Sequence, residues 1–216
     1  MKIKLFIFLG ILLTVFNWNC KSNNEPLTEG QIKEIESSLK VGDVIFHISK
    51  SGQGKAIQLA TNSKYNHVGV IVENNGQNQV LEAIHPVRFT PIAEWIQRGE
   101  RKHYVVKRLN TQQALSDEQV SCLNESGLEY VGKPYDFYFG WDNSRIYCSE
   151  LVWKLYKNCL GLEIGKLQNF GEFDLKNPIV QHALKQRFGD QIPYSEKVIS
   201  PGEMFDSPLL MTVNNL

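Results

Sequence analysis

The sequence predicts a single α+β domain behind a targeting segment. Helix-like and strand-like hydrophobic patterns alternate after residue 27, and neither an internal repeat nor an interdomain linker interrupts them. The hydrophobic share of 42% and the charged share of 21% are those of a globular protein, which argues against a disordered, collagen-like or coiled-coil chain. A chain of 216 residues is long enough for such a domain to bury a core.

Capping signals and hydrophobic periods predict the elements of this domain. Capping boxes open helices at Thr28 and Ser116, and Pro91 marks the first turn of another helix. Asn75-Gly76 is a strong hairpin signal between two strands. The patterns predict helices over residues 28–39, 52–61, 92–97, 116–130, 147–160 and 179–188, and strands over residues 44–48, 67–73, 79–84 and 103–109.

Residues 1–19 have the features of an export signal. Lys2 and Lys4 precede the apolar run of residues 5–16, which is shorter than the ~20 residues that span a bilayer. A signal-peptide core therefore explains this run better than a membrane-spanning helix does. The run stops shortly before Cys20, and the residues that follow are mostly polar.

Cys20 is the expected site of lipid attachment. The apolar run, the cysteine and the polar stretch resemble a bacterial lipoprotein signal, in which the cysteine is acylated and becomes the new N-terminus. This resemblance implies a lipidated tether over residues 20–27 and a domain over residues 28–216. The protein is then anchored to a membrane of the cell envelope and faces the periplasm or the exterior. The alternative is a signal that is left uncleaved or is cleaved conventionally.

The charge pattern argues against a nucleic-acid partner. The chain has 23 basic and 23 acidic residues, so its formal net charge is zero, and no cluster of Lys and Arg occurs. A nucleic-acid-binding surface requires such a cluster, because the phosphate backbone supplies most of the affinity. No cofactor is expected either. Membrane contact is expected to depend on the lipid anchor and not on charge.

Cys148 begins the most regular helical pattern in the chain. The apolar stripe of this helix consists of Cys148, Leu151, Val152, Leu155, Tyr156 and Cys159. A thiol at a helix N-terminus lies at the positive end of the macrodipole, which favours the nucleophilic thiolate. We expect Asp142, Asn143 or Ser144 to cap this helix. The alternative is that Cys148 only fills space in the core.

The cysteine count leaves at least one thiol free. Cys122, Cys148 and Cys159 follow Cys20, and an odd number in an exported protein cannot pair completely. Cys148 and Cys159 share a helix and lie ~16 Å apart at a rise of ~1.5 Å per residue, which is too far for a disulfide. Only a pairing with Cys122 is compatible with a structural disulfide.

His67 and Glu82 are expected to share one face of a hairpin. The two-residue turn at Asn75-Gly76 sets a register in which Glu82 lies opposite Gly69, so the two side chains are diagonal neighbours ~5–8 Å apart. Gly69 is expected to leave open space beside the imidazole. A register shift by one residue moves the two side chains to opposite faces. The alternatives are an ordinary strand histidine and a solvated glutamate.

The cysteine, the histidine and the carboxylate together satisfy the logic of a catalytic triad. Three parts of the sequence resemble the permuted papain-fold amidases of the YiiX/YaeF type, which are related to NlpC-like cell-wall hydrolases: residues 41–46, residues 64–70 with 80–83, and residues 132–136 with 147–152. Histidine precedes cysteine here, as in the permuted branch. The resemblance implies a circularly permuted papain-like (NlpC-like) α+β fold, in which an antiparallel sheet packs against helices. It also implies that Cys148 is the nucleophile, His67 the base and Glu82 the residue that orients the base.

Other residues have secondary candidate roles. The residues that are candidates for substrate contact or for the oxyanion site are Tyr65, Tyr135, Tyr147 and the backbone N–H of Cys148. A zinc site is the main chemical alternative, because suitable ligand types occur at His47, His67, His85 and Cys148. No pair of them has a short zinc-ligand spacing, and the strand alternation predicts that His85 points away from Glu82. We therefore expect no metal.

These features predict an exported cysteine hydrolase. It is expected to transfer an acyl group from an amide to Cys148 and then to water, with a cell-wall peptide or another small amide as substrate, by fold-level analogy. One alternative is a thiol acyltransferase or lipid hydrolase on the same fold. An uncharged, apolar cleft favours that alternative, whereas a charged pocket favours the peptide. Another alternative is a surface lipoprotein that binds a ligand without catalysis.

Overall fold

The computed structural model describes residues 26–111 and 113–213, so the predicted signal segment and Cys20 lie outside the described residues. The helices in chain order are α1 (Glu29–Ser38), α2 (Gly52–Thr61), α3 (Ile92–Arg98), α4 (Asp117–Leu128), α5 (Cys148–Leu160), α6 (Pro178–Phe188) and α7 (Pro201–Phe205). None of these described helices has both the length and the apolar character needed to cross a membrane.

The strands form one antiparallel sheet of six strands and a separate ribbon of two. They are β1 (Val44–His47), β2 (His67–Asn74), β3 (Gln77–Glu82), β4 (Arg88–Thr90), β5 (Tyr104–Leu109), β6 (Gln168–Asn169), β7 (Lys197–Val198) and β8 (Leu210–Val213). The order across the large sheet is β4-β3-β2-β1-β5-β8, and β6 pairs with β7 in the ribbon. Because β1 and β2 are central, both faces of each are buried.

Helices cover both faces of the sheet. Alternate residues of β2, such as Val68 and Val70, pack with α4 and α5 on one face, whereas Ile71 packs with α1 and α3 on the other. A third apolar cluster joins α6 to the ribbon, and side chains of α2 pack against it. This third cluster forms a separate lobe beside the N-terminus of α5, so it determines what surrounds Cys148. The α+β fold class predicted from the sequence is confirmed.

The predicted boundaries of the cysteine helix are close to the observed ones, but the predicted caps are wrong. α5 begins at Cys148 and ends at Gly161, whose left-handed φ of 68° suits a glycine C-cap. The N-cap residue is Tyr147, and its backbone N–H donates to Glu150 Oε2 at 3.3 Å. None of Asp142, Asn143 and Ser144 caps α5. Asp142 instead accepts a hydrogen bond from the N–H of Ser144, and Asn143 accepts one from Lys154.

A disulfide between Cys122 and Cys159 joins α4 to α5. This is one of the two pairings with Cys122 that the sequence left open. Cys148 is consequently the free cysteine among the described residues, and it is buried. The bond ties the C-terminal turn of α5 to the neighbouring helix, while the reactive end of α5 lies eleven residues earlier and is free of it. The disulfide therefore supports the position of the helix without involving its N-terminus.

Candidate active site

The hairpin register brings His67 and Glu82 together. Val70 pairs with Leu81 across β2 and β3, which places Glu82 opposite Gly69, as the two-residue turn predicts. His67 Nε2 lies 2.8 Å from Glu82 Oε2, and both residues are buried. A one-residue shift would have put the two side chains on opposite faces, so the predicted register is confirmed. The carboxylate fixes the orientation of the ring and leaves Nδ1 directed elsewhere.

The other oxygen of Glu82 has partners of its own. Thr90 Oγ1 donates to Oε1 at 2.5 Å, and Arg98 forms an ion pair with the same oxygen. Burial by itself would raise the pKa of Glu82, but the hydrogen bond and positive charge of His67, the charge of Arg98 and the hydrogen bond from Thr90 lower this pKa to about 2. Glu82 is therefore a fully buried carboxylate that remains ionised, and its charge is shared between an imidazole and a guanidinium.

Cys148 and His67 shift each other's ionisation in the direction of an ion pair. Burial opposes ionisation of the thiol, but the hydrogen bond and charge of His67 lower the pKa of Cys148 below its usual value, helped by the backbone at Val68 and Ser149. Burial also opposes protonation of the imidazole, yet Cys148 and Glu82 raise the pKa of His67 to about 9. Both shifts favour a thiolate beside an imidazolium over the neutral pair.

Sequence reasoning considered His47 only as a possible zinc ligand, and the structure gives it a different environment. His47 pairs with His67 across β1 and β2, stacks on Trp95 at 4.3 Å between ring centroids, and is almost fully buried. Trp95 also stacks on His67 at 4.9 Å. Burial, followed by the charges of His67 and Arg98, lowers the pKa of His47 to about 3, so this ring is neutral. The signal was available in the strand alternation, since His47 and Ile45 share a face of β1.

Two predictions about the surroundings of His67 are wrong. Gly69 does not leave open space, because a Cβ there would meet Val80 Cγ1 at 2.4 Å and Trp95 at 3.3 Å. The glycine instead lets β3 and the indole approach closely. His85 does not point away from the site, because it lines the same pocket as His67. β3 ends at Glu82, so strand alternation no longer governs the direction of His85.

The three candidate tyrosines occupy different environments. The Tyr135 hydroxyl accepts a hydrogen bond from Gln53 at 3.3 Å. Burial raises the pKa of this tyrosine well above its usual value, and the charge of Cys148 and the hydrogen bond to Cys148 raise it further. The Tyr147 hydroxyl accepts the backbone N–H of Ile199 at 3.1 Å while its ring walls the cleft. Tyr65 lines neither pocket described below. Of the three hydroxyls, that of Tyr135 is thus the one beside the thiol.

Cys148 lines an apolar pocket with a cavity volume of about 90 Å³. We call this space the apolar half of the cleft. Its walls come from α2, α6 and the aromatic loop before α5, and its lining includes Ala60, Phe139, Phe170, Leu184 and Ile199. Arg187 is the charged residue in the lining among the described residues, and its guanidinium lies 5.1 Å from the centre of the Phe139 ring. The cleft beside the nucleophile is therefore uncharged over most of its surface.

His67 lines a second pocket with a cavity volume of about 500 Å³, which we call the polar half of the cleft. Its lining includes His47, Lys50, Ser51, His85 and Arg98. Gln53, Ile57 and Tyr135 line both halves, so the two spaces adjoin at these side chains. Cys148 lines only the apolar half and His67 only the polar half. Nucleophile and base thus meet at the boundary between two chemically different spaces.

The order of the elements determines the class of this protein. In papain-like enzymes the cysteine helix ordinarily precedes the histidine strand, whereas here β2 precedes α5 in the chain. The buried thiol lies at the N-terminus of a helix that packs against an antiparallel sheet, and the histidine strand comes earlier in the chain. This is the permuted papain-like arrangement of cysteine amidases.

Comparison with known proteins identifies the family. Residues 38–214 match the permuted papain-like amidase enzymes of the YaeF/YiiX, C92 family, so the chain belongs to this family of cysteine amidases or peptidases. It is 49% identical over 174 residues to the uncharacterized protein YiiX of Escherichia coli K12, which covers 81% of this chain and 85% of that protein. A crystal structure of metalloprotein yiiX from Escherichia coli O157:H7 has 49% identity and a TM-score of 0.79, covering 83% of this chain and 98% of that one.

Proposed function

We propose that this chain hydrolyses amides whose acyl group is apolar, through a thioester on Cys148. The supporting observation is the largely apolar pocket that Cys148 lines, because the group that becomes bonded to the sulfur must occupy the space beside the sulfur. An apolar cleft is the feature that favours an acyl-lipid substrate over a cell-wall peptide. A pocket of this kind binds an aliphatic chain by removing its surface from water.

The first half of the reaction is acylation of the thiolate. Cys148 Sγ attacks the carbonyl carbon, and the electron pair of the C=O bond moves onto oxygen. The Tyr135 hydroxyl, kept protonated by its raised pKa, is the proposed donor to this oxyanion, together with the N–H of Cys148 at the start of α5. The C–N bond then breaks as His67 Nδ1 gives its proton to the nitrogen, and the amine leaves.

The second half releases the acid. Water replaces the amine beside His67, which is now neutral and accepts a proton as the water oxygen attacks the thioester carbonyl. The C–S bond breaks, the carboxylic acid leaves, and the thiolate–imidazolium pair returns. Glu82 carries no proton in this cycle, since its lowered pKa keeps it ionised, and its function is to orient and stabilise the imidazolium. If an amine or alcohol replaces the water, the same steps give acyl transfer.

Acyl-chain length tests the proposal. The kcat/KM for release of p-nitroaniline from acyl p-nitroanilides is expected to rise from acetyl to octanoyl to lauroyl. Each methylene that enters the pocket contributes ~0.8 kcal/mol, or about fourfold, until the pocket is filled. Ala183→Trp fills part of the apolar half, so this gain should end at a shorter chain. Ala114→Trp, which lines neither half, is the matched control. Equal rates for acetyl and lauroyl, with faster turnover of peptidoglycan fragments, would contradict the proposal in favour of a cell-wall peptide.

A metal has to be considered, because the relative of known structure is called a metalloprotein. Among the described residues, no group of three or more His, Cys, Asp or Glu side chains is placed to hold a metal ion. Among the candidate zinc ligands of the sequence, His67 is hydrogen-bonded to Glu82 through Nε2, and His47 stacks on Trp95. This donor set does not fit a bound metal, and the reaction above routes no step through one.

Location in the cell envelope is a further part of the proposal. The Cys122–Cys159 disulfide supports an oxidising compartment, and the lipoprotein-like sequence before Cys20 supports membrane attachment. In the native bacterium the wild-type protein is expected to partition into the detergent phase and Cys20→Ala into the aqueous phase. Unchanged partitioning of the variant, or a mature N-terminus beyond residue 20, would contradict lipidation at this cysteine.

A further inference from the structure

We propose that the polar half of the cleft binds an anionic group, a carboxylate or a phosphate, carried by the amine that leaves. The natural substrates are then N-acyl derivatives of amino acids or of phosphate-bearing amines. This inference rests on the proposed function and adds the chemistry of the leaving group to it. It is carried by the division of the two catalytic side chains between the two halves, and by the charges of the polar half.

The geometry assigns the two parts of the substrate to the two halves. The acyl group is bonded to Cys148, which lines the apolar half and not the polar half. The leaving nitrogen receives its proton from His67, which lines the polar half and not the apolar half. A general acid must be within hydrogen-bonding distance of the atom that it protonates. The amine therefore departs into the polar half.

The polar half is positively charged. Lys50 and Arg98 line it, and within the part of the chain that the structure describes no Asp or Glu does. Glu82, the nearest carboxylate behind the site, is fully buried and already engaged by His67, Thr90 and Arg98. The Arg98 side chain is 33% exposed and bonds Glu82 through Nη2. A guanidinium has five N–H donors, so this ion pair leaves donors for a ligand.

The N-terminus of α2 adds to this charge. Ser51 caps the ten-residue helix by accepting the N–H of Gly54 at 3.0 Å, and Ser51, Gln53 and Gly54 all line the polar half. A Cβ on Gly54 would meet Asn66 Nδ2 at 2.5 Å, so the glycine allows the helix end to pack against the start of β2. The positive end of the helix macrodipole therefore lies at the pocket, where it favours an anion.

His47 contributes a buried, neutral ring to the wall of the polar half. His47 is 2% exposed and lines the polar half, yet its Nδ1 has no hydrogen-bond partner among the described residues. This nitrogen is inaccessible from the pocket, so the anion site rests on Lys50, Arg98 and the N-terminus of α2.

Matched substrates test the inference. N-lauroylglycine is compared with neutral N-lauroylglycinamide, and N-lauroyl-O-phosphoethanolamine with neutral N-lauroylethanolamine. At low salt, the kcat/KM of at least one anionic substrate is expected to exceed that of its neutral partner about 10-fold or more, which is the usual effect of a charge-assisted hydrogen bond. The pair with the larger ratio identifies carboxylate or phosphate as the preferred anion. Lys50→Gln should reduce that ratio, whereas Lys55→Gln, an exposed lysine of α2 outside both halves, should leave it unchanged.

The outcomes separate this inference from the proposed function. A kcat/KM ratio of anionic to neutral substrate near one for both pairs, or a ratio that Lys50→Gln does not change, overturns the anion site. Neither result affects the proposed specificity for apolar acyl groups. Turnover of lauroyl p-nitroanilide without turnover of any of these four amides also overturns the anion site. Failure with all lauroyl substrates, the p-nitroanilide included, overturns the proposed function itself.

Discussion

Replacing Cys148 by alanine is expected to lower kcat for lauroyl p-nitroanilide by about 10⁴-fold or more, because no other atom in the cleft is placed to form the thioester. Cys148→Ser keeps the shape of the site and should be nearly as inactive, since the hydroxyl of serine is far harder to ionise than a thiol. Cys148 is buried in a helix that packs on the sheet, so thermal melts must show that both variants remain folded.

The disulfide supplies the control for this prediction. The double variant Cys122→Ser/Cys159→Ser removes two sulfurs from the other end of α5 and leaves the nucleophile in place. Its kcat, measured well below its melting temperature, should remain within a few fold of the wild type, although its stability falls by about 2–4 kcal/mol. Turnover by a folded Cys148→Ala variant within tenfold of the wild type would show that another group forms the acyl-enzyme.

Glu82→Gln is expected to lower kcat by about 10²–10⁴-fold with little change in KM. Glutamine keeps the shape and one acceptor oxygen but removes the negative charge that stabilises the imidazolium. Because that charge raises the pKa of His67, its removal should shift the upper limb of the pH–rate profile from near pH 9 to lower pH. Glu94→Gln is the control, since Glu94 forms an exposed ion pair with Arg88 and lines neither half of the cleft.

A double-mutant cycle distinguishes a positioning role for Glu82 from an independent one. His67→Ala should cost at least as much as Glu82→Gln, and the double variant should be no worse than the worse single variant, because the carboxylate acts through the ring. The 2.8 Å contact between His67 Nε2 and Glu82 Oε2 is the structural basis of this expectation. Additive losses in the cycle would contradict it and would indicate that Glu82 contributes separately, for example through Arg98.

The local elements and the hairpin register could be predicted because short-range rules determine them. A two-residue turn at Asn75-Gly76 fixes which residues of β2 and β3 face each other, and one face of each strand must be buried. Helix α5 was predictable for the same reason, since its apolar period ends at a glycine. The caps of α5 were not, because Tyr147 and Glu150 depend on tertiary burial and not on the usual Ser, Thr, Asp or Asn signal.

Features that depend on distant parts of the chain were missed. β8 (Leu210–Val213) joins the sheet beside β5 although about a hundred residues separate the two strands. The short β4 has no strong local signal, and the five-residue α7 was missed although Ser200 caps it and Pro201 opens it. The two-part cleft is formed by α2, α6 and the loop before α5, so no single segment reveals it. Gln53 and Arg98 were not recognised for this reason, as their importance comes from Tyr135 and Glu82.

Tyr65 shows the limit of assigning a role from sequence proximity. It lies two residues before His67 and was a candidate for substrate contact, but its side chain packs into the core. Its ring packs 4.3 Å from that of Phe205, and its hydroxyl lies 3.2 Å from Nε2 of His103. Tyr135 lies about seventy residues from His67 in sequence, yet its hydroxyl is next to the thiol. Proximity in the fold thus favours Tyr135 over Tyr65 among the candidate tyrosines.

The pH dependence of Cys148 alkylation tests the central claim, a thiolate–imidazolium pair, most directly. In wild-type protein the rate of iodoacetamide labelling at Cys148 should begin to fall at a lower pH than that of an ordinary thiol, because His67 lowers the pKa of this cysteine. In His67→Ala the rate should instead fall about tenfold per pH unit below the pKa of an ordinary thiol, near 8.5. A wild-type profile that follows the ordinary thiol curve, unchanged by His67→Ala, would contradict the ion pair and with it the proposed nucleophile.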